Sequence, residues 1–324
     1  MRRVAGFALA GLGGFLLVAA LLTRSYVGGH IVKFPLNTYV VTTLTGHNIS
    51  YFSPALVRDV SGATMRVTDT VKGDAAAGNS STSVWNEFDY LYDVTNSKVF
   101  QYATRRAAFD RRTGQLVACC GANIGGNSSI RQTGLSGYVW PFGTQKQTYD
   151  VFDTTLLRPV PFRYEGTGTI DGISVYRFVE HVTHAQAGSQ KVPGSLLGYS
   201  TTALMTVPEY YTATNTYWVD PATGGVLDTT QDQEITLQDA TGTHRLVLLN
   251  GTLAMTPGSV RTAVNLDASG RNELNWLEVT GPLIAGIVGL VALIAGIVLA
   301  RSRPGEQSEK AGEGAPEPLL DPAL

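Results

Sequence analysis

Two charge-free apolar runs, Val4 to Leu22 and Pro282 to Ala300, stand near the ends of the chain, and the residues between them are polar and patterned like strands. Each run is about nineteen residues long; at ~1.5 Å per residue a helix of that length reaches roughly 28 Å, close to the ~30 Å hydrocarbon core of a bilayer. Such a chain is expected to be held at a membrane by both ends. The predicted organisation is an N-terminal anchor over residues 1–24, a β-rich domain over 25–281 and a transmembrane helix over 282–300. Residues 301–324, rich in Pro, Glu and Gly, form a tail that reads as disordered.

Basic residues beside a span favour the cytoplasmic side, so Arg2, Arg3, Arg301 and Arg303 predict that both termini are cytoplasmic and that the main domain lies outside the plasma membrane. Arg24 opposes this weakly. Tyr26 and Trp276 stand at the inner ends of the spans, where amphipathic rings favour the headgroup layer. A cleaved signal peptide is the competing reading of the N-terminus. Its apolar region usually runs about 7–15 residues, and the small-residue site Val18-Ala19-Ala20 falls inside the run, so an uncleaved anchor is expected. Small residues recur along both spans, at Gly6, Ala10 and Gly14 and at Ala285, Gly289, Ala292, Gly296 and Ala300. Such stripes let helix backbones approach closely, either between the two spans or between protomers.

The net charge of -2 and charged fraction of 15 % leave no basic field to attract nucleic acid. The only cysteines are the adjacent pair Cys119 and Cys120. Outside the cytoplasm they are expected to join to each other as a structural vicinal disulfide, the alternatives being free thiols or an intermolecular bridge.

Alternating β-branched and aromatic residues recur through the middle, for example at Tyr39 to Thr45, Val84 to Tyr92 and Ile173 to His181. The expected fold is mainly antiparallel β, a meander or barrel-like domain, with Asp171-Gly172 as its clearest hairpin turn. Phe109 to Val117 and Val219 to Leu227 share the pattern D-x-x-T-G. One carboxylate per loop is too few ligands for calcium, so both read as structural turns, and the echo hints at two related halves. His184 to Met205 reads as a loop with a short greasy helix, and Leu196, Leu197, Leu204 and Met205 within it are the candidate apolar-ligand residues.

Nucleophile-elbow, phosphate-loop, zinc-protease and dinucleotide motifs do not occur, and no cofactor or metal is expected. His181 and His184, three apart on a strand, point to opposite faces and cannot converge on a metal. Carboxylates gather at Asp150 and Asp153 and at Glu87, Asp89 and Asp93; Trp85, Glu87 and Asp89 share one face of a strand and Phe88 and Tyr90 the other, a pattern that suits a half-buried strand with one wet side.

The segments WNEF at Trp85, Cys119-Cys120-Gly121, WPFGTQKQTYDVFD from Trp140, YEGTGTIDGISVYRF from Tyr164 and YWVDPATG from Tyr217, set between two spans, resemble the actinobacterial PorA-type family of envelope proteins. The resemblance covers nearly the whole chain and implies an actinobacterial envelope; it supplies no catalytic residues. The expected role is a non-enzymatic envelope protein whose β domain binds lipid or another apolar ligand and assists its transport. The alternative is an oligomeric channel, porin-like or assembly subunit built through the helices, and a carboxylate-dependent enzyme is the remote third. Expected partners are membrane lipids and a second copy or another envelope protein.

Overall fold

The computed structural model describes residues 2–24 and 32–301. Tyr26, His30, Arg303 and the expected disordered tail therefore lie outside the described residues, apart from Arg301. The chain divides into two compact units, one holding the terminal apolar helices and one the β domain.

In the first unit, α1 (Arg2–Leu22) lies antiparallel against α3 (Gly281–Arg301). Both are long and apolar enough to cross a membrane. Backbones meet where glycine replaces a side chain: a Cβ on Gly6 would fall 2.6 Å from the Ala300 nitrogen, one on Gly13 2.6 Å from the Gly289 carbonyl, and one on Gly296 2.7 Å from the Gly6 carbonyl. The seam on α1 runs Gly6, Ala10, Gly13, Leu17, Ala20, alternating steps of four and three, the spacing that keeps one face of a helix against its partner. Gly14 is off this seam with open space beside it, because two successive steps of four drift around a helix of 3.6 residues per turn. On α3, Gly289 and Gly296 are buried and Ala285 and Ala292 half-buried along the matching line.

The second unit is built on a single eleven-stranded antiparallel sheet in the order β5-β4-β3-β2-β1-β11-β10-β9-β8-β7-β6. Its strands are β1 (Tyr39–Ser53), β2 (Arg58–Gly73), β3 (Thr82–Asp93), β4 (Lys98–Asp110), β5 (Asn123–Ile124), β6 (Tyr149–Asp153), β7 (Arg158–Ile170), β8 (Ile173–Pro193), β9 (Leu204–Val219), β10 (Val226–Gln238) and β11 (Arg245–Met255). Strands β1 to β5 meander outward from the centre and β6 to β11 meander back, so the first and last long strands close on each other, with Leu44 opposite Met255 and Tyr51 opposite Leu249. The sheet curls into a half-barrel. Three hairpins repeat one device: Ser53, Asp93 or Asp153 accepts a backbone N–H from its turn, and Val57, Ser97 or Leu157 four residues later takes φ of 49°, 55° or 55°.

Between β5 and β6 the chain does not stay outside. The strap 134–143 crosses the inner face, strung between the two D-x-x-T-G turns. Ser136 N–H donates to the Gly114 carbonyl at 2.9 Å, and Trp140 N–H donates to the Gly224 carbonyl at 2.9 Å. The turns themselves match: Gly114 N–H donates to Asp110 O and Gly224 N–H to Asp220 O, while Asp110 Oδ1 and Asp220 Oδ1 take further turn amides. Strap side chains enter the core on both sides. Trp140 is fully buried, stacked on Phe178 at 4.2 Å, and Tyr138 lies 5.6 Å from Trp85.

Two segments differ from expectation. The expected loop over His184 to Met205 is mostly strand: β8 and β9 extend through it and leave Gly194–Leu197 as a 3-10 turn, because a second run of cross-strand pairs, Ala185 with Tyr211 to Pro193 with Leu204, restarts after a bulge. A helix, α2 (Pro257–Asn275), follows β11 inside the expected β region. Thr256 caps it by accepting from Ser259 N–H at 3.3 Å, Pro257 opens it, and Val264 packs with Val175 and Leu227. Arg271 Nε donates to buried Asp220 at 3.0 Å, so α2 braces the second turn.

Gly224 takes φ of +74°, and a Cβ there would fall on the Trp140 carbonyl oxygen. Gly224→Ala is expected to lower stability by roughly 3 kcal/mol or more in denaturant unfolding, whereas Gly188→Ala, with open space around it, stays within about 0.5 kcal/mol. Gly13→Leu is expected to abolish intramolecular photo-cross-linking from a probe at Leu16 to α3, and Gly14→Leu to leave it unchanged.

Candidate functional site

Along β2, β3 and β4 the inward phase is largely apolar, and charge interrupts it on two adjacent rungs at its middle. Val67, Asp69 and Val71 on β2, Trp85, Glu87 and Asp89 on β3, and Arg105, Ala107 and Phe109 on β4 all share the inner face, with Asp69 opposite Asp89 and Glu87 opposite Arg105. The half-buried strand has its wet side where Phe88 faces outward at 44 % exposure, and Glu87 and Asp89 lie on the inner face with Trp85. One residue of phase decides this, because side chains alternate along a strand.

The carboxylate oxygens of Asp69, Glu87 and Asp89 lie within 4.8 Å of one another. Arg105 answers them. It is buried, its Nη1 lies 3.8 Å from Glu87, and its remaining bonds go to Gln132 Oε1 and the Ser136 carbonyl, both at 2.9 Å. The Tyr138 hydroxyl donates to Glu87 at 2.7 Å while its ring lies under the Arg105 guanidinium at 4.9 Å. The strap thus closes over the carboxylates and fixes the cation beside them.

Three like charges cannot all be held here. Burial, then the charges of Glu87 and Asp89, push Asp69 up to about 9 against the pull of Arg105; burial and Glu87 push Asp89 up to about 7. At neutral pH Asp69 keeps its proton. Burial and Glu87 also raise the Tyr138 hydroxyl well above its usual range.

The other half of the sheet carries a smaller counterpart. Glu180 on β8 is buried among apolar neighbours; Asn215 Nδ2 donates to it at 2.7 Å and to the Tyr211 hydroxyl at 3.1 Å. Burial, followed by the charge of Asp153 at the end of β6, pushes Glu180 up to about 7. Tyr217 feels both groups: burial raises its hydroxyl first, then Glu180, Asp153 and Glu87 add to the rise. An ionisable belt therefore runs across the inner face of both halves.

Three carboxylates beside a fixed guanidinium make a poor resident site for a hard cation, which takes six or more oxygens in the case of calcium. The belt suits proton sharing and transient contact with small polar or cationic solutes. Of the residues named from sequence, Glu87, Asp89 and Asp153 belong to it; Asp93 instead takes the Tyr51 hydroxyl and the Asn96 amide, and the Asp150 side chain is exposed. Asp69, Arg105, Tyr138, Glu180 and Tyr217 were missed. Their signal was available as charged or hydroxyl groups in phase with an apolar alternation, as in Val67-Asp69-Val71 and Phe178-Glu180-Val182.

Three of the four apolar candidates meet, but in a core cluster. Leu197 is buried with Phe52, Val207, Leu237 and Leu246, Leu196 and Met205 pack on that cluster, and Leu204 is 69 % exposed. Lipid carriage through them gains no support. Cys119 and Cys120 are bonded to each other in a turn after β4. His181 bonds to Glu165 at 3.2 Å and His184 stacks on Tyr210 at 4.2 Å, so they do not meet.

The raised acids set a sign for pH. A carboxyl that binds its proton more tightly when folded adds stability in full below its unfolded value and loses it as pH rises through the folded one, here through about 7 and on to about 9. Unfolding in detergent is thus expected to become easier from pH 5 to pH 9. Asp69→Asn should flatten the upper part of that fall and raise stability at pH 8 by on the order of 1 kcal/mol.

A family model described as Porin PorA matches residues 5–298. Among curated proteins, Porin PorA of Corynebacterium resistens is 24 % identical over 229 residues, covering 51 % of this chain and 55 % of that one. The chain thus spans about half the length of this curated relative. With both apolar helices and the β domain inside the matched span, the chain belongs to the porin PorA family.

Proposed function

We propose that the chain is a non-enzymatic, porin-type subunit of an envelope permeation complex. The α1–α3 pair anchors it in the plasma membrane with both termini cytoplasmic, and the β domain stands outside. The belt across the inner face of the half-barrel meets small cations and polar solutes, with the strap as its constriction. The observation that carries this reading is the placement of Asp69, Glu87, Asp89, Asp153 and Glu180 on the face of the sheet that is otherwise apolar core. Burying such groups is costly, and a domain that needed only to fold would fill the same positions with aliphatic side chains.

The helices do not supply a polar lining. Their outward residues include the aliphatic and aromatic side chains of Val4, Phe7, Phe15, Leu283, Ile287 and Val291, and Gly6, Gly13, Gly289 and Gly296 are used in pairing within the chain. Within the porin-like reading, the polar surface is assigned to the β domain in preference to the helices. The relative's printed name, Porin PorA, supports passage of solutes rather than their transformation.

Full-length protein reconstituted in planar bilayers is expected to conduct, with potassium favoured over chloride. Asp89→Asn combined with Glu87→Gln should move the reversal potential toward that of chloride, and Tyr138→Phe, which frees the strap from Glu87, should raise the conductance. Silent bilayers containing correctly folded protein, or a reversal potential untouched by the double substitution, would remove the reading.

A further inference from the structure

The outer face of β2, β3 and β4 carries a second built feature, on the opposite side of the sheet from the belt. A groove of about 370 Å³ runs across it, within the range of small-ligand sites. Two outward rungs line it, Thr70, Phe88 and Thr104 on one and Lys72, Asn86 and Arg106 on the next, with Glu87 and Arg105 of the rung between them and Asn123 of β5 at the end. The Phe88 ring is 44 % exposed, and the same face continues into Tyr102 at 71 % exposure and the parallel rings of Tyr90 and Tyr92 at 5.9 Å.

The polar side of the groove is held in place. Arg106 donates from Nε to the Cys120 carbonyl at 2.9 Å, from Nη1 to Asn86 Oδ1 at 2.8 Å and from Nη2 to Asp74 at 2.9 Å. Cys120 offers that carbonyl from a left-handed conformation, φ 62°, inside the turn that its bond to Cys119 closes. The cysteine pair and the two-residue strand β5 thus brace the groove. Asp74 already answers Arg106, whereas among the described residues the Lys72 ammonium has no partner and the Thr70 and Thr104 hydroxyls make no side-chain bonds.

We infer that this groove binds a short saccharide bearing an anionic substituent. An exposed ring offers a negative π face to the polarised C–H groups of a pyranose. The Asn86 amide and the two hydroxyls match sugar hydroxyls, and the uncompensated ammonium selects a carboxylate or phosphate on the ring. A protein or lipid contact would need a broad apolar patch; here cations and amides interrupt the rings at every second rung.

The test uses the full chain in a detergent without a sugar headgroup, titrated calorimetrically with cellobiose, with its glucuronic acid-containing counterpart and with glucose 6-phosphate. The acidic saccharides are expected to bind more tightly than the neutral one, with affinity falling as salt rises. Phe88→Ala should weaken all of them about tenfold or more, and Lys72→Gln should bring the acidic ligands down to the neutral level while leaving the neutral one unchanged. Both substituted residues are solvent-facing, and an unchanged circular dichroism spectrum checks folding. No binding by the wild-type chain would overturn the inference, as would binding that neither substitution changes. Binding of inorganic phosphate alone, with no saccharide recognised, would also overturn it. Bilayer conductance should stay the same in both variants, which keeps this outcome separate from the permeation reading.

Discussion

The strap between the two D-x-x-T-G turns is the constraint on which the β domain depends. A curled antiparallel sheet with its first and last strands zipped together still leaves an inner face to fill. Here the filling comes from the chain itself, through Tyr138, Val139, Trp140 and Phe142. The strap's backbone cannot be left unpaired inside the domain, since a buried amide without a partner costs as much as a lost hydrogen bond. The Gly114 and Gly224 carbonyls accept from it, and both glycines are needed twice: for a positive φ and for the absence of a Cβ against the strap's own carbonyls at Val139 and Trp140. The internal echo in the sequence is therefore a matched pair of clamps, and α2 reinforces one of them through Arg271 and Asp220.

From that placement follows the electrostatics of the inner face. Because the strap brings Ser136 and Tyr138 over β3 and β4, Arg105 is withdrawn from water and pinned beside Glu87, and Asp69 and Asp89 lose solvent at the same time. The domain tolerates the arrangement by holding protons rather than charges, at Asp69 in one half and between Asp153 and Glu180 in the other. Groups poised near neutrality respond to whatever approaches them. A cation drawn to the belt would favour release of those protons, so solute contact and proton release are linked in the belt by the same charges.

Much of the architecture was legible in the sequence because it rests on periodicity. Charge-free runs of spanning length gave the two helices, period-two alternation the antiparallel strands, and Asp171-Gly172 its hairpin, with φ of 45° and 82° at the two residues. What escaped has physical causes. The second half of β8, His184 to Pro193, is polar and mostly exposed, so no burial pattern marks it, and a long pairing with β9 holds it as strand. Helix α2 carries Gly, Ser and Asn that lower its intrinsic propensity; its Thr256-Pro257 start was the available sign. The strap and the belt were least legible, since they depend on which loop folds inward, and no local pattern encodes that.

Strand β3 shows how much hangs on a single step of phase. Trp85, Glu87 and Asp89 face the core while Asn86, Phe88 and Tyr90 face solvent, and on β4 the same alternation sends Arg105 inward and Arg106 outward. Two adjacent arginines thus serve opposite surfaces: one closes the ionisable belt beneath the strap, the other anchors the groove through the cysteine turn. Their backbones share β5, whose two residues pair with both. A shift of one residue between β3 and β4 would turn the carboxylates to solvent and bury Phe88 and Tyr90, removing both surfaces together. The register here is fixed by the inward ring of Trp85, which meets Phe109 at 4.9 Å and could not be accommodated on the other face of the strand without vacating that core cluster. Packing around one tryptophan therefore decides which chemistry each side of the sheet presents.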